Sequence, residues 1–182
     1  SKSVDAPKPT PAAVALARFS REKQLDVMIR CFVEATSPAH LRHWQLHLHG
    51  EGDQREPLAR QIRDAGVADR VSLEARTDDP YGTLRDAELN LLTSAYEGFG
   101  MTLVEAGTVG TPSIAFDCSA GVHGLLADGA GVLVPPGDEA SYAASLRALM
   151  EDDDLRARIG SAAGVRAQSF SPETVLGRWA RM

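Results

Sequence analysis

Ala87-Glu88-Leu89-Asn90-Leu91-Leu92-Thr93 and, one residue later, Ala95-Tyr96-Glu97-Gly98-Phe99-Gly100-Met101-Thr102-Leu103-Val104-Glu105-Ala106 form the stretch whose reading decides the fold. The first seven residues are a mostly apolar run of strand length, as a strand buried on both faces requires. Residues 103–110 read as a short helix closing at Gly110. The loop between them carries Gly98 and Gly100, which tolerate unusual backbone angles and close approach of a ligand. A glycine-flanked loop from the carboxyl end of a strand to the amino end of a helix gathers free N–H groups and a positive dipole. Open α/β sheets bind anionic ligands at such places. Two carboxylates, Glu97 and Glu105, stand in the same stretch with seven residues between them. A pure phosphate site has no use for them, so a ligand that also carries sugar or ribose hydroxyls is expected. Thr102 and Glu105 also have the spacing of a capping box, in which Glu105 would only satisfy the helix start.

Working outward, the uninterrupted apolar run 12–17 and the stretches 44–49, 71–74, 113–117 and 131–134 read as five further strands. Between them, Leu25, Met28, Ile29, Phe32 and Val33 recur at helical spacing, as do Leu58 and Ile62 ahead of Gly66. A brief helix is expected over 80–86. After Pro135-Pro136-Gly137 the chain reads as helical, with Asp138 and Asp153 as N-caps. A last helix starts at Ser171-Pro172-Glu173, where serine caps and proline fits the first turn. Alternating strands and helices predict an α/β domain, a Rossmann-like, doubly wound parallel sheet of about six strands. The division expected is a Pro-rich linker or segment edge over 1–11, one domain over 12–170 and a C-terminal helix over 171–182.

Composition bounds the function. The 182 residues carry 19 Lys and Arg against 25 Asp and Glu, a formal charge of −6. No general basic field exists to draw nucleic acid, so phosphate must be met by a few placed cations. Cys31 and Cys118 lie in apolar segments without metal spacing and read as buried thiols of a cytosolic protein. His40, His43, His47 and His49 lack companion ligands, and no metal site is expected. No apolar run approaches the ~20 residues of a membrane span, nor does the N-terminus have the pattern of a signal peptide. A cytoplasmic location is expected. G-x-G-x-x-G is absent after the first strand, which argues against a dinucleotide-dependent dehydrogenase.

The run Glu97-Gly98-Phe99-Gly100 … Glu105-Ala106, followed by Gly110-Thr111-Pro112, resembles the E-x7-E signature of retaining glycosyltransferases of the two-domain GT-B fold. The resemblance covers about residues 14–179 and implies the C-terminal, nucleotide-sugar-binding half. It implies that Arg18 and Lys23, after the first strand, contact the donor diphosphate. There, fixed cations would stabilise a leaving group of growing negative charge without a metal. The family pattern usually places glycine directly after that lysine, where this chain has Gln24. Glu105 is implied as the ribose ligand and Glu97 as the catalytic residue nearest the donor sugar. Gly98, Phe99, Gly100, Met101 and Thr102 would offer backbone N–H groups to sugar and phosphates. Gly50-Glu51-Gly52 resembles the glycine pair near the nucleotide, and a tight turn is its other reading. Arg76 and Thr77 fall where the family contacts the base with backbone. His123 is a further candidate for the donor sugar.

Asp78-Asp79-Pro80-Tyr81 and Leu92-Thr93-Ser94-Ala95-Tyr96 resemble the subgroup that glycosylates teichoic acids or serine-rich proteins. The implied activity is transfer of a hexosyl group from an NDP-sugar, UDP favoured, to a polymer, protein or lipid-linked acceptor. No cofactor is expected, and an N-terminal acceptor domain would be the missing partner, so the chain alone should bind donor without catalysing. The last helix would pack back across the cleft in the intact enzyme, which could sit at the inner membrane face. Two other readings stay open: a non-hydrolysing sugar-nucleotide epimerase of the same architecture, and a non-catalytic binding or chaperone-like partner.

Overall fold

The computed structural model describes residues 10–170; the expected helix over 171–182 and all but the end of the expected linker lie outside them. Six strands are present: β1 (Ala12–Leu16), β2 (Gln45–His49), β3 (Val71–Glu74), β4 (Leu89–Leu92), β5 (Ser113–Phe116) and β6 (Val132–Val134). They form one sheet in the order β3-β2-β1-β4-β5-β6, every neighbouring pair parallel. Seven helices connect and cover them: α1 (Leu25–Ala35), α2 (Arg55–Asp64), α3 (Pro80–Arg85), α4 (Met101–Thr108), α5 (Ala120–Leu126), α6 (Glu139–Glu151) and α7 (Asp153–Gln168). The expected Rossmann-like, doubly wound sheet is the fold observed.

Side chains alternate across the sheet because a strand repeats every two residues. Ala13, Ala15, Leu46, Leu48, Leu89 and Leu91 share a core with α1, α2 and α6. Val14, Leu92 and Ala115 point the other way, toward residues of α3, α4 and α5. A parallel sheet is stable only with both faces covered. Gly107 and Gly160 let α7 lie close against the α4 region: a Cβ on Gly107 would come 2.8 Å from the Ala163 carbonyl oxygen.

Strand order reverses direction between β1 and β4. The helices that follow those two strands, α1 and α4, cover opposite faces of the sheet, and a crevice opens at the strands' carboxyl ends. Both stretches singled out above, 18–23 and 94–102, leave from this point.

Two local readings change. The capping box at Thr102 and Glu105 is not formed, because α4 begins earlier, with Gly100 as N-cap and Met101 as its first residue. The second late helix is capped by Asp152, whose side chain accepts from the Leu155 N–H at 2.7 Å, and not by Asp153. Residues 120–126 form a full helix, with the Ser119 hydroxyl as cap for Val122 N–H. Asp138 caps α6 as expected. Both cysteines are free, Cys31 buried and Cys118 half-buried.

Candidate functional site: a cleft at the strand switch point

Two adjoining cavities, about 310 and 860 Å³, share Leu16, Ala17, Arg18 and Thr102 as a common wall. They make one cleft along the carboxyl ends of β2, β1 and β4. The smaller part is lined by Arg18, Lys23, Ser94, Glu97 and the stretch Phe99–Thr102; the larger by His49, Gly50, Arg76, Thr77 and Glu105 among others. Residues named from separate stretches of sequence therefore meet in one place.

The loop after β1 and the loop after β4 are stitched together. Residues Arg21–Lys23 form a single 3-10 turn. Buried Thr93 donates to the Lys23 and Gln24 carbonyls at 3.1 and 2.9 Å, and Ala95 N–H donates to the Glu22 carbonyl at 2.8 Å. Lys23 Nζ then reaches Glu97 Oε1 at 2.7 Å, and the Ser94 hydroxyl donates to the same oxygen at 2.7 Å. Glu97 Oε2 has no hydrogen-bond partner among the described residues. The Arg18 side chain is exposed and makes no hydrogen bond or ion pair among them, although its charge also acts on the Glu22 carboxylate. The two cations that line the cleft thus stand in different states, one in a salt bridge and one without.

Gln24 links the 3-10 turn to α1 in the left-handed region, φ 48° and ψ 43°. A side chain there crowds its own backbone at a cost of about 1–2 kcal/mol, which glycine escapes while losing part of the gain to its greater unfolded freedom. Gln24→Gly should therefore stabilise the chain by about 0.5–1 kcal/mol. Equilibrium urea unfolding reads this directly, and an unchanged midpoint would count against it.

Helix α4 opens into the cleft; Leu103 N–H donates to the Gly100 carbonyl at 2.9 Å, while the N–H groups of Met101 and Thr102 precede the first full helical turn and have no partner within the helix. Its N-cap, Gly100, has φ 84°, a conformation that favours glycine. Met101 and Thr102 line the smaller cavity beside the two cations. One turn further on, Glu105 lines the larger cavity, and its carboxylate has no hydrogen bond or ion pair among the described residues. Burial pushes its carboxyl above the usual range. An acceptor with an empty coordination sphere at a cavity wall is suited to vicinal hydroxyls.

Three expected contacts are placed differently. Gly98 does not line the cleft; its carbonyl packs on Gly121 of α5 instead. Gly52 lies outside the cavity as well. The glycine pair is there for close approach: a Cβ on Gly50 would run into the Ala17 carbonyl oxygen, and one on Gly52 into the Phe19 backbone. Both glycines therefore shape the loop that presents Arg18, and Gly50 alone touches the cleft. Arg76 and Thr77 do line it. The Thr77 hydroxyl is committed to Thr83 at 2.9 Å and to the Asp79 N–H at 3.1 Å, which fixes this loop's backbone. The Asp79 side chain caps α3 by accepting from Gly82 N–H, with Pro80 at the first helical position. His123 pairs with Asp117 at 2.8 Å and lines neither cavity.

Sequence reading gave Thr93, Ser94 and His49 no place in the site. The polar pair closing an otherwise apolar strand was a usable signal, since buried hydroxyls at a strand end need partners. His49 ends β2 against the larger cavity, and burial pulls its imidazole below the usual value, toward the neutral form. Among the described residues no cluster of His, Cys, Asp and Glu could hold a metal ion, and no helix is long and apolar enough to cross a membrane.

Comparison with known proteins agrees with this geometry. A structure of a mutant of Staphylococcus aureus TarM in complex with fondaparinux, alpha-GlcNAc-glycerol and UDP superposes with a TM-score of 0.86 at 27% identity, covering 97% of this chain and 36% of that one. The poly(ribitol-phosphate) alpha-N-acetylglucosaminyltransferase of Staphylococcus aureus (strain COL) is 31% identical over 137 residues, 74% of this chain and 28% of the relative. An exopolysaccharide phosphotransferase of Streptomyces coelicolor, SCO2592, is 31% identical over 164 residues, 89% of this chain and 17% of the relative. The chain thus spans only about a sixth to a third of the length of these proteins. The family description of glycosyl transferases group 1 matches residues 1–166. Fold, cleft and family match agree, and the chain belongs to the glycosyl transferases group 1 family.

Proposed function

We propose that this chain is the donor-binding half of a retaining glycosyltransferase that moves a hexosyl group from an NDP-sugar, UDP favoured, to a polymer, protein or lipid-linked acceptor. One observation carries the reading: Arg18, Lys23, the amino end of α4 and the carboxylates Glu97 and Glu105 line a single cleft at the switch point. The diphosphate would lie by Arg18 and the α4 amino end, where positive charge and free N–H groups meet the charge of the leaving group. Glu105 would hold the ribose in the larger cavity, and Glu97 would face the sugar with its open oxygen. Two protein cations and a helix dipole supply the countercharge, so no metal or other cofactor is invoked. Retention of configuration rests on the E-x7-E resemblance.

Phe99 and Met101, which line the cleft, are 42% and 59% exposed, and Tyr96, next to Glu97 in the chain, is 68% exposed. Exposed apolar side chains beside a polar site suit a covering partner, and an N-terminal acceptor domain is the partner proposed. Transfer then requires that domain, and the chain alone binds donor. On this reading the full enzyme works in the cytoplasm, at the inner face of the membrane when its acceptor is lipid-linked.

A nucleotide panel tests the reading by thermal unfolding. A ligand at about 100 times its dissociation constant adds roughly 2.7 kcal/mol to stability. UDP, GDP, ADP, their sugar conjugates and NAD are compared. The expected result is a shift with one nucleoside diphosphate and its sugars and none with NAD; no shift with any of them would count against the proposal. With the longer protein, released nucleotide separates chemistries: hexosyl transfer leaves the diphosphate, whereas phosphosugar transfer leaves the monophosphate.

A further inference from the structure

Lys23 and Arg18 leave the same loop, yet only Lys23 is already occupied. Its ammonium lies 2.7 Å from Glu97 Oε1, with side chains 22% and 15% exposed, so the pair is partly shielded from water. Two anchors keep it there: Ser94 donates to the same carboxylate oxygen, and Thr93 holds the Lys23 carbonyl. Ser94 itself is buried, at 3% exposure, which limits how far Glu97 can swing away.

We propose that Glu97 competes with the donor diphosphate for Lys23 and so lowers the cleft's affinity for the nucleoside diphosphate. This rests on the reading of the cleft as an NDP-sugar site. A lysine ammonium is a compact point charge that shares its donors among neighbouring anions. A diphosphate at the amino end of α4 meets an exposed Arg18 guanidinium that forms no salt bridge among the described residues, and Lys23 with its charge largely answered by a carboxylate. The ground state therefore uses one cation and part of a second. As the sugar–phosphate bond breaks, charge gathers on the leaving diphosphate, and Lys23 can turn from Glu97 toward it. An interaction that strengthens along the reaction speeds the chemical step, whereas one already complete in the ground state only tightens binding. The same sharing lets the diphosphate product leave more readily. Ser94 acts as the positioning residue, holding Glu97 where it can claim Lys23.

The test is a set of calorimetric titrations on the 182-residue chain, using the nucleoside diphosphate that gives the largest shift in the panel above. Glu97→Gln should bind it roughly three- to tenfold more tightly than the wild type, the scale of a partly shielded ion pair. Ser94→Ala should move affinity in the same direction by a smaller factor, and it decides the matter if Glu97→Gln fails to fold. In a Lys23→Met background, Glu97→Gln should change affinity by less than about twofold, because the shared cation is gone. Equal or weaker binding by Glu97→Gln overturns the inference. So does a full gain in the Lys23→Met background, which would mean that the carboxylate repels the diphosphate directly. If the wild-type chain binds no nucleoside diphosphate at all, the reading of the cleft itself falls, a result distinct from either of these.

Discussion

Gly50→Ala should destabilise the chain by about 3 kcal/mol or more and weaken nucleotide binding at the same time, because the new methyl would occupy the place of the Ala17 carbonyl oxygen. The obstacle is backbone, so no rotamer change relieves it. Either β2 retreats from β1, which breaks the ladder pairing Leu16 with His49, or the chain from Ala17 to Phe19 moves outward. That second route carries Arg18 with it. Gly52→Ala meets the Phe19 backbone and should act similarly. Urea unfolding measures the first effect and titration with nucleotide the second. A variant of wild-type stability would show that the loop is free to shift and that the glycine pair is no more than a turn.

Glu105→Ala should reduce affinity for the nucleoside diphosphate roughly ten- to a hundredfold, the scale of losing one or two hydrogen bonds to a charged acceptor. It should leave the ligand-free chain as stable at neutral pH, or more so. The two effects have one cause. Burial raises the Glu105 carboxyl above its unfolded value. Its contribution to stability is then fully present below the usual carboxylate range and is lost as pH rises through the elevated pKa. At neutral pH the ionised carboxylate is a burden to the empty fold, and ribose hydroxyls would relieve it. Nucleotide affinity of the wild type should accordingly fall as pH drops through that pKa, while in Glu105→Ala this fall should be absent. A variant that binds as tightly as wild type would remove Glu105 from the site.

Much of this molecule was legible in its sequence for local reasons. Strand β5 is buried along its whole length, whereas β2 alternates buried Leu46 and Leu48 with half-buried polar residues, and both patterns are local. The Asp138 cap and the proline after Asp79 are likewise read from neighbouring residues. Local signals misled where two neighbours could serve the same role: Asp152 and Asp153 are both acceptable caps, and the extended backbone that a cap needs falls at Asp152, with Asp153 already helical. Thr102 and Glu105 matched a capping pattern, yet α4 begins at Met101, after Gly100 adopts a left-handed turn.

By itself, the sequence determined the alternating α/β plan, the glycine loop ahead of α4 and the identity of the charged residues that line the cleft. Those features depend on spacing within about one helix or strand, the range over which periodicity and capping operate. Only the tertiary structure decided how the charges are shared. Lys23 and Glu97 lie 74 positions apart. Their pairing depends on β1 lying beside β4 and on the hydroxyls of Thr93 and Ser94 at that junction. Likewise, Gly50 and Gly52 owe their necessity to the backbone of the neighbouring loop rather than to their own turn. Contacts of this kind arise from the order in which strands pack, and no local pattern records that order.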